Sequence, residues 1–107
     1  MEFDVNLEMV GSEARITLSG ELDASSAPIF KTEIDNAAAA KATRLVFFME
    51  DLTYMASAGL RSLIFARQKM GQDVDIYLIG TTEEVRDTLE MTGMQYSVIL
   101  QDEYDGS

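Results

Sequence analysis

The segment Leu45-Val46-Phe47-Phe48-Met49 contains no polar side chain, and a short unbroken apolar run of this kind marks a strand covered on both faces. Such a strand belongs in the middle of a sheet, so the rest of the chain has to supply its neighbours and its covering layers. Upstream, Phe3, Val5, Leu7 and Met9 alternate with Glu2, Asp4, Asn6 and Glu8. After Gly11-Ser12 the alternation resumes through Ile16, Leu18, Gly20 and Leu22. A period of two, interrupted by turn residues, predicts an antiparallel hairpin whose second strand ends near Asp23.

Helical spacing follows. Behind Pro28, which suits a first helical turn, Phe30, Ile34 and Ala37/Ala38 predict a helix over residues 26–42. A second helix starts at Ser57, carries Leu60, Leu63, Ile64 and Met70 on one side, and stops at Gly71. Val74, Ile76, Leu78 and Ile79 make the next strand. Thr81 and Glu84 form a capping-box pattern ahead of a third helix that carries Val85 and Leu89 and ends at Gly93 in the C′ role. Residues 96–100 fit either a short edge strand or a helical turn, and the acidic tail 101–107 is expected to fray. This order predicts one α/β domain over residues 1–107: a mixed four- to five-stranded sheet, right-handed crossovers, and helices packed mainly on one face.

Charge and missing residue types narrow the function. Eight Lys and Arg stand against nineteen Asp and Glu, a formal net charge of −11, which repels phosphate backbones and anionic lipid. Neither nucleic acid nor a membrane surface is an expected partner. The chain has no Cys, hence no disulfide, thiolate nucleophile or sulfur-ligated metal. It has no His either, which removes the usual general base, every His-dependent triad and the commonest metal ligand. The seven glycines are scattered singly, so no phosphate cradle is recognisable, and Asp102, Glu103 and Asp105 lack the spacing of a calcium loop. No enzyme activity, cofactor or metal is expected. An acidic N-terminus, and no apolar run near the ~20 residues of a membrane span, make the cytoplasm the expected location.

In parallel β-α-β units the carboxyl ends of the strands share one edge, which puts residues 23–26, 51–57 and 80–82 on a common rim. Ser57 stands there at the expected N-cap of the second helix, between Ala56, Ala58 and Gly59, which are small enough to leave its hydroxyl accessible. Two readings stand. It caps the helix, worth ~1 kcal/mol; or it is a modification site, where a phosphate carrying about −1.5 to −2 charges meets free amides and the positive end of the helix dipole. Catalysis by Ser57 lacks an activating base, since Lys69 lies about three turns along the same helix. Asp23 reads either as a cap for the first helix or as a partner contact, with Ser25 and Ser26 the only other recognition groups beside it. Met55 and Leu60 read as core or as apolar partner contacts.

Three pieces of sequence, Leu18-Ser19-Gly20-Glu21-Leu22-Asp23, then Glu50-Asp51-Leu52-Thr53-Tyr54-Met55 ahead of Ser57-Ala58-Gly59-Leu60, then Thr92-Gly93-Met94, resemble the STAS domain family. The likeness spans Phe3 to Leu100 and is greatest to single-domain anti-sigma factor antagonists. It implies a STAS-type fold and a partner switch. The unmodified domain binds an anti-sigma factor that is also a GHKL-type serine kinase, which frees the sigma factor. Phosphorylation of Ser57 weakens the grip, and a PP2C-type phosphatase reverses it. By motif position Ser57 is the phosphoacceptor and Asp23 helps engage the kinase, with Ser25, Ser26, Met55, Ala56, Ala58, Gly59 and Leu60 completing the contact set. The family commonly has Asp where this chain has Ala56. That departure gives weight to an alternative, a constitutive STAS adaptor subunit of a transporter ATPase or sensory complex, in which Ser57 only packs.

Overall fold

In the computed structural model, which describes residues 2–104, the elements follow as β1 (Asp4–Val10), β2 (Glu13–Leu22), α1 (Ala27–Ala39), β3 (Arg44–Met55) and α2 (Ser57–Met70). They continue as β4 (Asp75–Ile79), α3 (Glu83–Glu90), a 3-10 turn (Met94–Tyr96) and β5 (Ile99–Gln101). The sheet order equals the chain order, β1-β2-β3-β4-β5. β1 is antiparallel to β2 and every other pair is parallel, so the apolar run of β3 does lie in the central strand.

Register explains the layers. Leu7, Ile16, Phe47, Leu78 and Leu100 pair across all five strands and so share one face. That face packs on Phe30, Ile34, Leu63, Val85 and Leu89 from the three helices. Phe30 meets Phe47 edge to face, with ring centroids 5.4 Å apart. Each fully buried large apolar side chain contributes about 1.5–3 kcal/mol, which makes this layer the main source of stability.

On the opposite face Val46 and Ile79 are buried although no helix covers them. Tyr104 lies over this face, packed edge to face on Phe48 and Tyr77 with centroids 6.0 and 5.5 Å apart. Its hydroxyl donates to the Glu13 carboxylate and accepts from Arg44 at 3.0 Å, while Arg15 lies over its ring. The fraying expected of the tail is therefore corrected as far as Tyr104; residues 105–107, with Asp105, lie outside the described residues. The ambiguous stretch 96–100 resolves into the end of the 3-10 turn followed by the start of β5.

Several boundaries also shift. α1 stops at Ala39 because Lys41 takes a left-handed φ of 59° and returns Ala42 to the core. The cap of α3 is Thr82, whose hydroxyl accepts from the Val85 amide, so the Thr81 capping box does not form. Gly93 lies two residues past the C-cap Met91 and opens the 3-10 turn instead. Ile64 faces outward, and Gly59, Ser62 and Ala66 share the packed side of α2 with Leu60 and Leu63.

Candidate functional site

β3 outruns its neighbour. Its last pair with β4 is Phe48 with Ile79, yet it continues for seven residues to Met55, bonded there only to β2. Two register shifts against β2, between Thr17 and Ser19 and between Gly20 and Glu21, each add one residue to β3. The inward side chains therefore recur as Met49, Leu52 and Met55, every third residue, where an unbroken strand would show every second. Residues 51–55, expected as loop, are strand for this reason. The Thr53 hydroxyl donates to the Gly20 carbonyl at 3.0 Å across the bulged stretch.

The Ala56 amide donates to the Leu22 carbonyl at 2.8 Å, which fixes the ends of β2 and β3 side by side. Asp23 and Ser57, each one residue beyond that bond, thus share an edge as expected. Residues 80–82 do not join them. Gly80 sits back beside Glu50, whose Cγ is 2.2 Å from where a Gly80 Cβ would lie. The rim has two loops, not three.

Ala56, with extended φ and ψ of −81° and 173°, is the N-cap of α2, which moves Ser57 to the first helical position. The capping role considered for Ser57 is therefore corrected: a residue at that position has no helix amide to accept. Ser57 is exposed, and its hydroxyl has no hydrogen-bond partner among the described residues. Ala56 offers no side-chain acceptor, so no side chain caps this helix. Beneath it, a Cβ on Gly59 would stand 2.7 Å from the Leu22 side chain and 2.8 Å from Met55, so only glycine lets α2 start this close to the sheet.

The Asp23 loop is tightly bonded. Asp23 Oδ1 accepts from the Ser25 amide at 3.0 Å, the Ser25 hydroxyl at 2.8 Å and the Ser26 amide at 3.1 Å. The Asp23 amide donates to Ser26 Oγ at 2.8 Å. These donors, the Ser25 hydroxyl foremost, hold the Asp23 carboxyl below its ordinary pKa and keep it ionised. Asp23 thus shapes the turn that leads into α1, whose own N-cap is Ser26.

Ser26, Met55, Gly59 and Leu60 were expected to touch a partner, but all four are buried. They support the rim from below, because Ser26 is tied into the turn and the other three pack on the core. Ser57, Ser25, Ala56, Ala58 and part of Asp23 remain accessible. Around them lie surface residues that the pattern reading missed: Ile29, Tyr54 and, on the exposed side of α2, Arg61 and Ile64. Arg61 was legible from its four-residue spacing to Ser57; Tyr54 was hidden by the bulge. A groove of about 310 Å3 beside the rim is lined by Glu2, Phe3, Glu21, Asp23, Ser25, Ser26 and Ile29. Among the described residues no three carboxylates converge to hold a metal ion, and no helix is long and apolar enough to cross a membrane.

A mixed α/β sheet domain that presents an unengaged serine hydroxyl on a two-loop rim is the class the geometry defines. The model of the STAS domain family matches residues 5–105, and the chain belongs to that family. An anti-sigma factor antagonist from Mycobacterium paratuberculosis superposes with a TM-score of 0.88 at 21% identity, over 97% of this chain and 89% of that one. SpoIIAA in its unphosphorylated form gives 0.77 at 21% identity, over 95% and 91%. The phosphorylated form of SpoIIAA, a Bacillus cell fate determinant, gives 0.73 at 22% identity, over 91% and 90%. At these identities the likeness is one of fold. No curated protein matches the sequence.

Proposed function

We propose that this STAS domain is an anti-sigma factor antagonist that works as a partner switch: unmodified, it docks through its rim on an anti-sigma factor that is also a GHKL-type serine kinase. Phosphorylation of Ser57 releases that partner, and a PP2C-type phosphatase restores binding. The observation that carries this reading is the exposed Ser57 hydroxyl, without a hydrogen-bond partner among the described residues and set beside the Asp23 loop. The fold neighbours described as anti-sigma factor antagonists, one of them in both phosphorylation states, support it.

In the transfer, Ser57 Oγ bonds to the γ-phosphorus of ATP, the bond to the bridging oxygen breaks, and ADP leaves. The hydroxyl proton passes to a base on the kinase. The product places about −1.5 to −2 charges in the middle of the docking face, where desolvation and like-charge repulsion oppose re-binding. Asp23 is held ionised and can present its second oxygen to the kinase. Incubation with the candidate kinase and ATP, followed by peptide mapping, tests the assignment, with phosphate expected on Ser57. Binding without any phosphate transfer would instead favour the constitutive adaptor, the reading to which Ala56 lends weight.

A further inference from the structure

Resting on the reading of Ser57 as phosphoacceptor, we infer that Arg61 is the cation that receives the phosphate. Six of the eight Lys and Arg side chains have partners. Arg15 and Arg44 pair with Glu13, Lys69 with Asp35, and Arg86 with Asp102. Arg67 donates to the carbonyls of Gly71, Val74 and Ser97, and Lys31 lies over Phe65. Among the described residues only Lys41 and Arg61 have none. Lys41 is remote, at the end of α1 where Thr43 bonds to Ser12 in the β1–β2 turn. Arg61 is the one unengaged cation near the rim.

Its placement suits the role. Ser57 and Arg61 are both exposed and four residues apart on α2, so they are neighbours on one helix face, with Cβ atoms about 5–6 Å apart. Helical side chains lean toward the N-terminus, which carries the Arg61 guanidinium back over Ser57. A guanidinium fork binds two phosphate oxygens at once. The carboxylates on this rim are Asp23 and Glu21 at the end of β2, with Glu2 beside them in the groove. They raise the second pKa of a phosphate on Ser57, while Arg61 and the uncapped amides at the start of α2 lower it; only the Arg61 contribution is lost on substitution at 61. Phosphorylation thus changes the docking face at two points, adding an anion at 57 and withdrawing a cation at 61.

The test needs no kinase. Phosphoserine is installed at position 57 of the full chain by genetic encoding, in the wild-type background and with Arg61→Gln or Arg61→Lys, and the phosphate is titrated by phosphorus NMR. The wild-type phosphate should titrate below that of Arg61→Gln by about 0.3 unit or more, the size of an exposed ion pair at this spacing, with Arg61→Lys between them. The Arg61 Nε resonance should also move on phosphorylation. Superimposed titration curves for wild type and Arg61→Gln, or a reversed order, overturn the inference. Because the phosphate is introduced synthetically, this result is independent of whether a kinase ever modifies Ser57.

Discussion

A serine at the first position of a helix holds nothing in place, whereas one at the cap does, and that one-residue difference decides how Ser57 should respond to substitution. Ser57→Ala removes an exposed hydroxyl without a partner, so stability should change by no more than about 0.5 kcal/mol in urea unfolding. Ser57→Asp places an anion at the positive end of α2 and should fold equally well. Calorimetry against the proposed kinase partner should separate the two, with Ser57→Asp weakening binding about tenfold or more and Ser57→Ala only slightly. Equal losses would remove charge as the switching agent. Gly59→Ala should behave in the opposite way, losing about 1–3 kcal/mol of stability because its Cβ has to displace Leu22 and Met55. Both Ser57 and Asp23 were legible in the sequence, since small and cap-forming residues at strand ends stand out. The capping position was not, because it depends on the extended φ and ψ of Ala56, which a sequence does not display.

At the scale of elements, periodicity exposed whatever was regular and missed what was not. The β1–β2 hairpin and the alternation of strands and helices were read from periods of two and 3.6, and they are present. The two bulges of β3 turned its inward period from two to three, which disguised five strand residues as loop. Tyr104 was missed because nothing local marks it: its partners Glu13 and Arg44 lie 91 and 60 residues away. These partners make its contribution testable. Burial pushes the Glu13 carboxyl up, but hydrogen bonds from Tyr104 and Arg15, with the charges of Arg15 and Arg44, hold it below its ordinary pKa. A depressed carboxyl stabilises the fold above the unfolded-state pKa of about 4.3, and that stability is lost as pH falls through the lower folded value. Tyr104→Phe should therefore cost about 1 kcal/mol at neutral pH and move acid unfolding, followed by circular dichroism, to higher pH. An unchanged acid limb would mean that Arg15 and Arg44 suffice without the phenol.

Over the whole molecule the dominant fact is charge of one sign. The ion pairs among the described residues engage Glu13, Asp35 and Asp102, leaving most of the nineteen carboxylates to repel one another across a domain of 12.3 Å radius of gyration. Screening relieves such repulsion, since the Debye length falls from about 30 Å at 0.01 M salt to 8 Å at 0.15 M. It also weakens the exposed ion pairs, but these are worth less than about 1 kcal/mol each. Repulsion should win, so the thermal midpoint should rise by a few degrees as NaCl is raised from 10 mM to 0.5 M. Chloride rather than sulfate is the appropriate anion, because sulfate stabilises proteins by surface exclusion whatever their charge. A phosphate installed on Ser57 would add about −1.5 to −2 charges to the formal −11, so that form should show the steeper salt response. At 0.5 M NaCl the two forms should melt together, leaving the difference between them where a switch requires it, in the contact with a partner. A midpoint that fell with salt would show instead that the ion pairs outweigh the repulsion, and that the acidic surface costs the fold nothing.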